Sequence, residues 1–171
     1  MSTMSPPSQH PRRTFVPLST GVRDQASPLC SLKFRGRDDE PGVALYQFSS
    51  KEHDQMVCNG LDELFQSEYL DDFMSLRCQL PGYASDSRPL LFLEAIPIKR
   101  YEIGRLVAEE MRGYMNELRE LLSDRQSAAS DNPSLNGIDW DKLYLSEFYT
   151  MDGKEWEATL FMELPEKVDE P

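Results

Sequence analysis

The chain has 171 residues, of which 39% are apolar, 10% aromatic and 28% charged, and its formal charge is −12. That length fits one domain, and that composition excludes a collagen, a low-complexity filament and wholesale disorder. No apolar run reaches the roughly 18 residues of a membrane-spanning helix, and the acidic balance excludes a body that binds nucleic-acid phosphates directly.

The charge is unevenly placed. Up to Arg37, six basic residues (Arg12, Arg13, Arg23, Lys33, Arg35 and Arg37) face one acid, Asp24, which makes this part +5. The remaining 12 basic and 29 acidic residues make the rest −17. The densest acidity runs from Glu52 to Leu76, where seven acids stand without a lysine or arginine. A patch of one sign steers a partner of the other, so this stretch predicts docking to a basic protein surface, with Asp62, Glu63, Asp71 and Asp72 as the charged contacts.

Residues 1–28 hold five prolines, many serines and no apolar periodicity, and are expected to form a disordered basic tail. Their arginines and the lack of acids before Asp24 also fit an organelle-targeting segment, although the prolines break an amphipathic helix. A single domain is expected over 29–165, with an acidic end at 166–171.

Cys30, Leu32 and Phe34 alternate with polar residues, which predicts a strand, and Val43 to Phe48 predicts a second one paired with it as a hairpin. Ser49 and Glu52 have capping-box spacing. Val57, Leu61, Leu64, Phe65, Tyr69, Phe73 and Leu76 then recur at three and four, predicting a helix that ends before Pro81–Gly82. A loop is expected over 80–89. Leu90 to Ile98 is apolar on both faces and reads as a central strand, covered on both sides or buried between copies in a homo-oligomer. Ile103, Val107, Met111, Tyr114, Leu118 and Leu121 predict a helix over Tyr101–Arg125.

Asp152–Gly153 between two alternating runs predicts a two-residue hairpin turn. That turn would pair Met151 with Lys154, Tyr149 with Trp156, Glu147 with Ala158, Leu145 with Leu160 and Leu143 with Met162 on one, mostly apolar face. The other face would pair Phe148 with Glu157, Ser146 with Thr159, Tyr144 with Phe161 and Lys142 with Glu163. The expected order is β-β-α-β-α-β-β. It implies an α+β fold with a mostly antiparallel sheet of about five strands and two long helices.

Chemistry is sparse. There is no Gly-rich phosphate loop, G-x-S-x-G elbow or H-E-x-x-H. Three cysteines (Cys30, Cys58 and Cys78) without CxxC spacing and two histidines (His10 and His53) argue against a disulfide framework and a zinc site. No metal or cofactor is expected, and unpaired thiols fit a cytoplasmic location. Two carboxylates fall in apolar surroundings, Glu94 within LLFLEAIPI and Glu147 on the apolar hairpin face; close together, they could act as an acid/base pair. Tyr144, Phe148 and Phe161 share the second hairpin face, where exposed aromatics would form an apolar contact surface. These features favour a non-enzymatic protein-binding module: an adaptor, escort chaperone, inhibitor or immunity-type protein, or accessory subunit. The alternatives are a carboxylate enzyme using Glu94 and Glu147, and an acidic mimic of nucleic acid.

Overall fold

The structure is a computed structural model that describes residues 13–18, 27–36, 40–49, 74–91, 98–125 and 138–165. Among these residues seven strands form one mixed sheet: β1 (Phe15–Pro17), β2 (Cys30–Lys33), β3 (Val43–Ala44), β4 (Met74–Cys78), β5 (Asp86–Leu90), β6 (Leu143–Thr150) and β7 (Glu155–Glu163). One α-helix, α1 (Arg100–Arg125), accompanies them, with short 3-10 turns at Leu45–Ser49 and Trp140–Lys142.

The sheet order is β2-β6-β7-β4-β5. β3 lies end to end with β2 along β6, and β1 lies end to end with β4 along β7. Every pairing is antiparallel except that of β4 with β7.

The helix expected over Tyr101–Arg125 is present one residue longer. Ile103, Val107, Met111, Tyr114 and Met115 are its buried stripe, and exposed Leu121 marks where the stripe fades. Its first turn is closed by the Glu102 carboxylate, which accepts from the Lys99 N–H at 2.8 Å, satisfying a donor that a helix start leaves open. Two tyrosines tie the helix down: Tyr101 donates to the Phe48 carbonyl at 3.2 Å and Tyr114 to the Ala84 carbonyl at 2.7 Å. The Arg88 guanidinium joins β5 to the same helix. It pairs with Asp86, Glu110 and Glu117 and lies 5.8 Å from the Tyr114 ring centroid.

The core is continuous between α1 and one sheet face, and includes Phe34, Phe48, Met74, Leu76, Leu90, Leu145, Phe148, Trp156 and Leu160. Phe148 and Trp156 stack with centroids 4.6 Å apart. Full burial of side chains this size contributes about 1.5–3 kcal/mol each.

Several expectations are corrected. Met74 to Leu76, read as the end of a helix, lies in β4, where Met74, Leu76 and Cys78 are buried in alternation; the helix's earlier part, residues 50–73, lies outside the described residues. Residues 86–89, read as loop, form β5 together with Leu90, read as the start of the next strand; β5 is joined to β4 through a turn in which the Tyr83 N–H donates to the Leu80 carbonyl at 3.1 Å. Leu90 ends that strand, and 92–97 lie outside the described residues. The expected hairpin of β2 with the Val43 strand does not form; both strands pair with β6 instead, and only Val43–Ala44 is extended. Phe15–Pro17, inside the expected tail, is a strand. A second long helix is not found among the described residues.

The terminal hairpin departs from its expected register at one place. Leu143↔Met162, Tyr144↔Phe161 and Leu145↔Leu160 pair as expected, but the ladder then shifts by one residue between Leu145 and Glu147. An extra residue there is a β-bulge, and it swaps the faces of everything beyond it. Phe148 and Thr150 turn to the core, whereas Glu147 and Tyr149 turn to the opposite face. The connection spans residues 151–154, with Gly153 at φ 81°, and is longer than the two-residue turn expected. Lys142 sits in a 3-10 turn and does not pair with Glu163.

The Asp152 carboxylate organises this connection by accepting from the Lys154 N–H at 2.8 Å and the Glu155 N–H at 3.0 Å. Those two donors, Lys154 first, hold its carboxyl below the ordinary value of 3.8. A group depressed on folding favours the folded state above its unfolded pKa, and that contribution is lost as pH falls through the folded value. Asp152→Ala should therefore lower the urea midpoint at pH 7, and the gap from wild type should close as pH is taken below 3.8.

Candidate functional site

α1 packs on one sheet face; the site lies on the other. Strand alternation sends Trp156, Ala158 and Leu160 of β7 toward the core and Glu155, Glu157, Thr159, Phe161 and Glu163 outward. Along β6 the bulge adds Glu147 and Tyr149 to this outer face, which Tyr144 joins from before the bulge. The register places Ser31, Tyr149, Glu157, Arg77 and Ser87 in one row across four pairings.

Within that row the Tyr149 hydroxyl donates to Glu157 Oε2 at 2.6 Å. Arg77 lies 3.6 Å from Glu157 Oε1 and 3.9 Å from Glu155 Oε2. The Glu155 and Glu157 side chains remain 43% and 38% exposed, and such loose exposed pairs contribute at most about 1 kcal/mol. Their carboxylates are therefore available to a cation from outside.

Glu147 is the sole carboxylate buried among the described residues, at 9% exposure. It is on the outer face, not the apolar face expected for it, because the bulge reverses its direction. The Ser31 hydroxyl donates to its Oε1, and Lys33 is its cross-strand neighbour on β2. Glu94, the other half of the proposed acid/base pair, lies outside the described residues. So do Asp62, Glu63, Asp71 and Asp72.

The three aromatics expected to share an exposed face are separated. Phe148 is fully buried on the core side, so it is not a contact residue. Tyr144 and Phe161 do share the outer face as cross-strand partners, but Tyr144 is only 4% exposed. Its cover comes from the chain's own N-terminal segment: Phe15 meets its ring edge-on with centroids 5.1 Å apart. The Tyr144 hydroxyl donates to Glu163 Oε2 at 2.8 Å. Burial first, then that hydrogen bond and the charge of Glu163, push the phenol well above its ordinary pKa, so it stays a donor. Arg13 closes the cluster, 2.7 Å from Glu40 Oε1 and 3.3 Å from Glu163 Oε1.

Sequence reading missed Arg13, Glu40, Tyr149, Glu155, Glu157 and Glu163 as site residues. The alternation of glutamates with Trp156, Ala158 and Leu160 does mark Glu155, Glu157 and Glu163 as one outward row. The pairing of Arg13 with Glu40 joins residues with no periodic relation, so no local pattern could reveal it.

Among the described residues no group of three or more His, Cys, Asp or Glu is placed to hold a metal ion. Burial pushes the Cys78 thiol up to about 12, which leaves it uncharged and unreactive at neutral pH. No helix among the described residues is long and apolar enough to cross a membrane. No protein-family model, curated protein or solved structure matches the chain.

Proposed function

We propose that the protein is a non-enzymatic, acidic protein-binding module that docks a partner with a basic surface, as an adaptor, escort chaperone, inhibitor or immunity-type protein, or accessory subunit. The observation that carries this reading is the outer sheet face, where the partly exposed Glu155 and Glu157 share β7 with Phe161 and Glu157 pairs with Tyr149. Aromatic rings are enriched where proteins meet, and outward carboxylates beside them would steer a basic partner to the face. The −17 balance beyond Arg37 extends the same field around the body. Asp62, Glu63, Asp71 and Asp72 remain proposed charged contacts and Phe161 the proposed apolar one; Tyr144, buried beneath Phe15, is withdrawn from that set.

The test is affinity capture from the native source with wild type and with Glu155→Lys/Glu157→Lys in parallel, at low and high salt. A basic protein captured by wild type, lost on reversal and lost in high salt supports the reading. An identical set of captured proteins from both baits, with both melting cooperatively, contradicts it.

A further inference from the structure

We propose that the edge of β7 from Leu160 to Leu164 is a strand-addition site, which the chain's own β1 fills and which an extended partner segment of the pattern basic-x-aromatic-x-x-aliphatic can take over. The proposal deepens the reading above and rests on it, since it names where and how a basic partner would be held.

β4 pairs with β7 only over Glu155–Glu157. Beyond that point the same edge is completed by β1, with Phe15↔Glu163, Val16↔Met162 and Pro17↔Phe161 in register. The ladder runs one residue further at each end, through the Leu18 N–H to the Leu160 carbonyl at 2.9 Å and the Leu164 N–H to the Thr14 carbonyl at 2.8 Å. Residues 14, 16 and 18 thus point their backbone groups at β7. Pro17 falls between them, where its missing N–H costs no ladder bond and leaves the outer edge a poor template for another strand.

Both faces of the short strand are read. Leu18 enters the core, with half-buried Val16 on the same side. Arg13 and Phe15 reach the outer face, Arg13 to Glu40 and Glu163, and Phe15 to the Tyr144 ring. Arg13 sits between the carboxylates of Glu40 and Glu163, so the seat selects a basic residue at that position. Glu163 is already oriented by the Tyr144 hydroxyl. A strand of three residues is held by these contacts and by belonging to the same chain, so a free segment must compete with an intramolecular one. An untethered segment of the same chemistry is therefore masked in the wild-type chain and unmasked when β1 is weakened.

The probe is a labelled synthetic peptide with the sequence of residues 11–20, titrated by fluorescence anisotropy into the full chain. The wild type is compared with Arg13→Ala/Phe15→Ala. The peptide should bind the double variant at least about tenfold more tightly than the wild type. That binding should weaken with salt and be abolished by adding Glu163→Lys. If the double variant fails to melt cooperatively, Arg13→Ala alone, which keeps Phe15 and Leu18, carries the comparison. Binding to neither form, or binding indifferent to Glu163→Lys, overturns the proposal. So does a concentration-dependent wild-type dimer that the peptide dissociates, because a second copy would then be the occupant. If only the peptide fails while capture still depends on Glu155 and Glu157, the strand-addition site falls and the basic-partner reading stands.

Discussion

Gly42→Ala should destabilise the protein by about 3 kcal/mol, the upper end of what overpacking costs, and lower the melting temperature by roughly 6–12 °C. A Cβ at this position would lie 2.6 Å from the Leu145 carbonyl carbon and 2.9 Å from the Ser146 nitrogen, and closer still to the Leu145 oxygen. All three are backbone atoms of β6 at its bulge, so no side-chain rotation relieves the contact. The chain must pass this close because β2 and β3 share one edge of β6: the Phe34 N–H donates to the Ser146 carbonyl at 2.8 Å, and Val43 pairs with Leu145. Relief would pull β3 from β6 or straighten the bulge, and either would disturb Leu145 and Phe148, which face the core from the two sides of the shift. Thermal and urea unfolding of the variant check this. A midpoint within error of wild type would mean that β3 does not lie against the bulge as described.

Gly104→Ala tests the seat of α1. In an exposed helix this change is favourable by about 1 kcal/mol. Here the new methyl would lie 2.6 Å from Phe48 Cζ and 2.8 Å from its Cδ1. Phe48 is buried, edge-on to Phe34 at 5.9 Å and 6.0 Å from the Tyr101 ring, so it has no free direction to move. The clash should outweigh the helical gain and leave a net loss of about 2 kcal/mol. In a Phe48→Leu background, where the ring atoms are gone, the same substitution should become neutral or stabilising. A coupling of at least about 1 kcal/mol in that double-mutant cycle is expected. Additive effects would contradict the contact between helix and ring.

Some of this architecture is legible in the sequence. The helix at Arg100–Arg125 announces itself because one partner, the sheet core, sets a 3.6-residue period over four turns. The first half of the β6–β7 ladder is equally clear from Leu143, Leu145, Leu160 and Met162. The second half misleads for a physical reason. Core-facing positions jump from odd (Leu143, Leu145) to even (Phe148, Thr150) on β6, and only an inserted residue lets both sets face one core. A large buried aromatic out of phase with the preceding leucines is the visible trace of that insertion. Met74, Leu76, Cys78 and Leu80 alternate with period two, but the three-and-four spacing of Val57, Leu61, Leu64, Phe65, Tyr69 and Phe73 upstream draws Leu76 into a helical pattern. β1 was hidden by composition. Prolines and serines signal a tail, yet three residues suffice to complete an edge whose other partner stops short.

The site follows the same division. The charge asymmetry is plain from counting, and the outward glutamates of β7 follow from alternation. The one-residue shift turns Phe148 and Glu147 to the faces opposite those that plain alternation predicts. The Arg13, Glu40, Glu163 and Tyr144 cluster depends on long-range packing that no local pattern encodes.

The most direct measurement of the docking account is the association rate of the captured basic partner as a function of ionic strength. It compares wild type with Glu155→Lys/Glu157→Lys by stopped flow. The account predicts a rate that falls steeply with salt for wild type, and a variant about tenfold slower at low salt whose rate converges on wild type at high salt. Equal rates at low salt, or a wild-type rate indifferent to salt, would contradict an acidic docking face on this sheet.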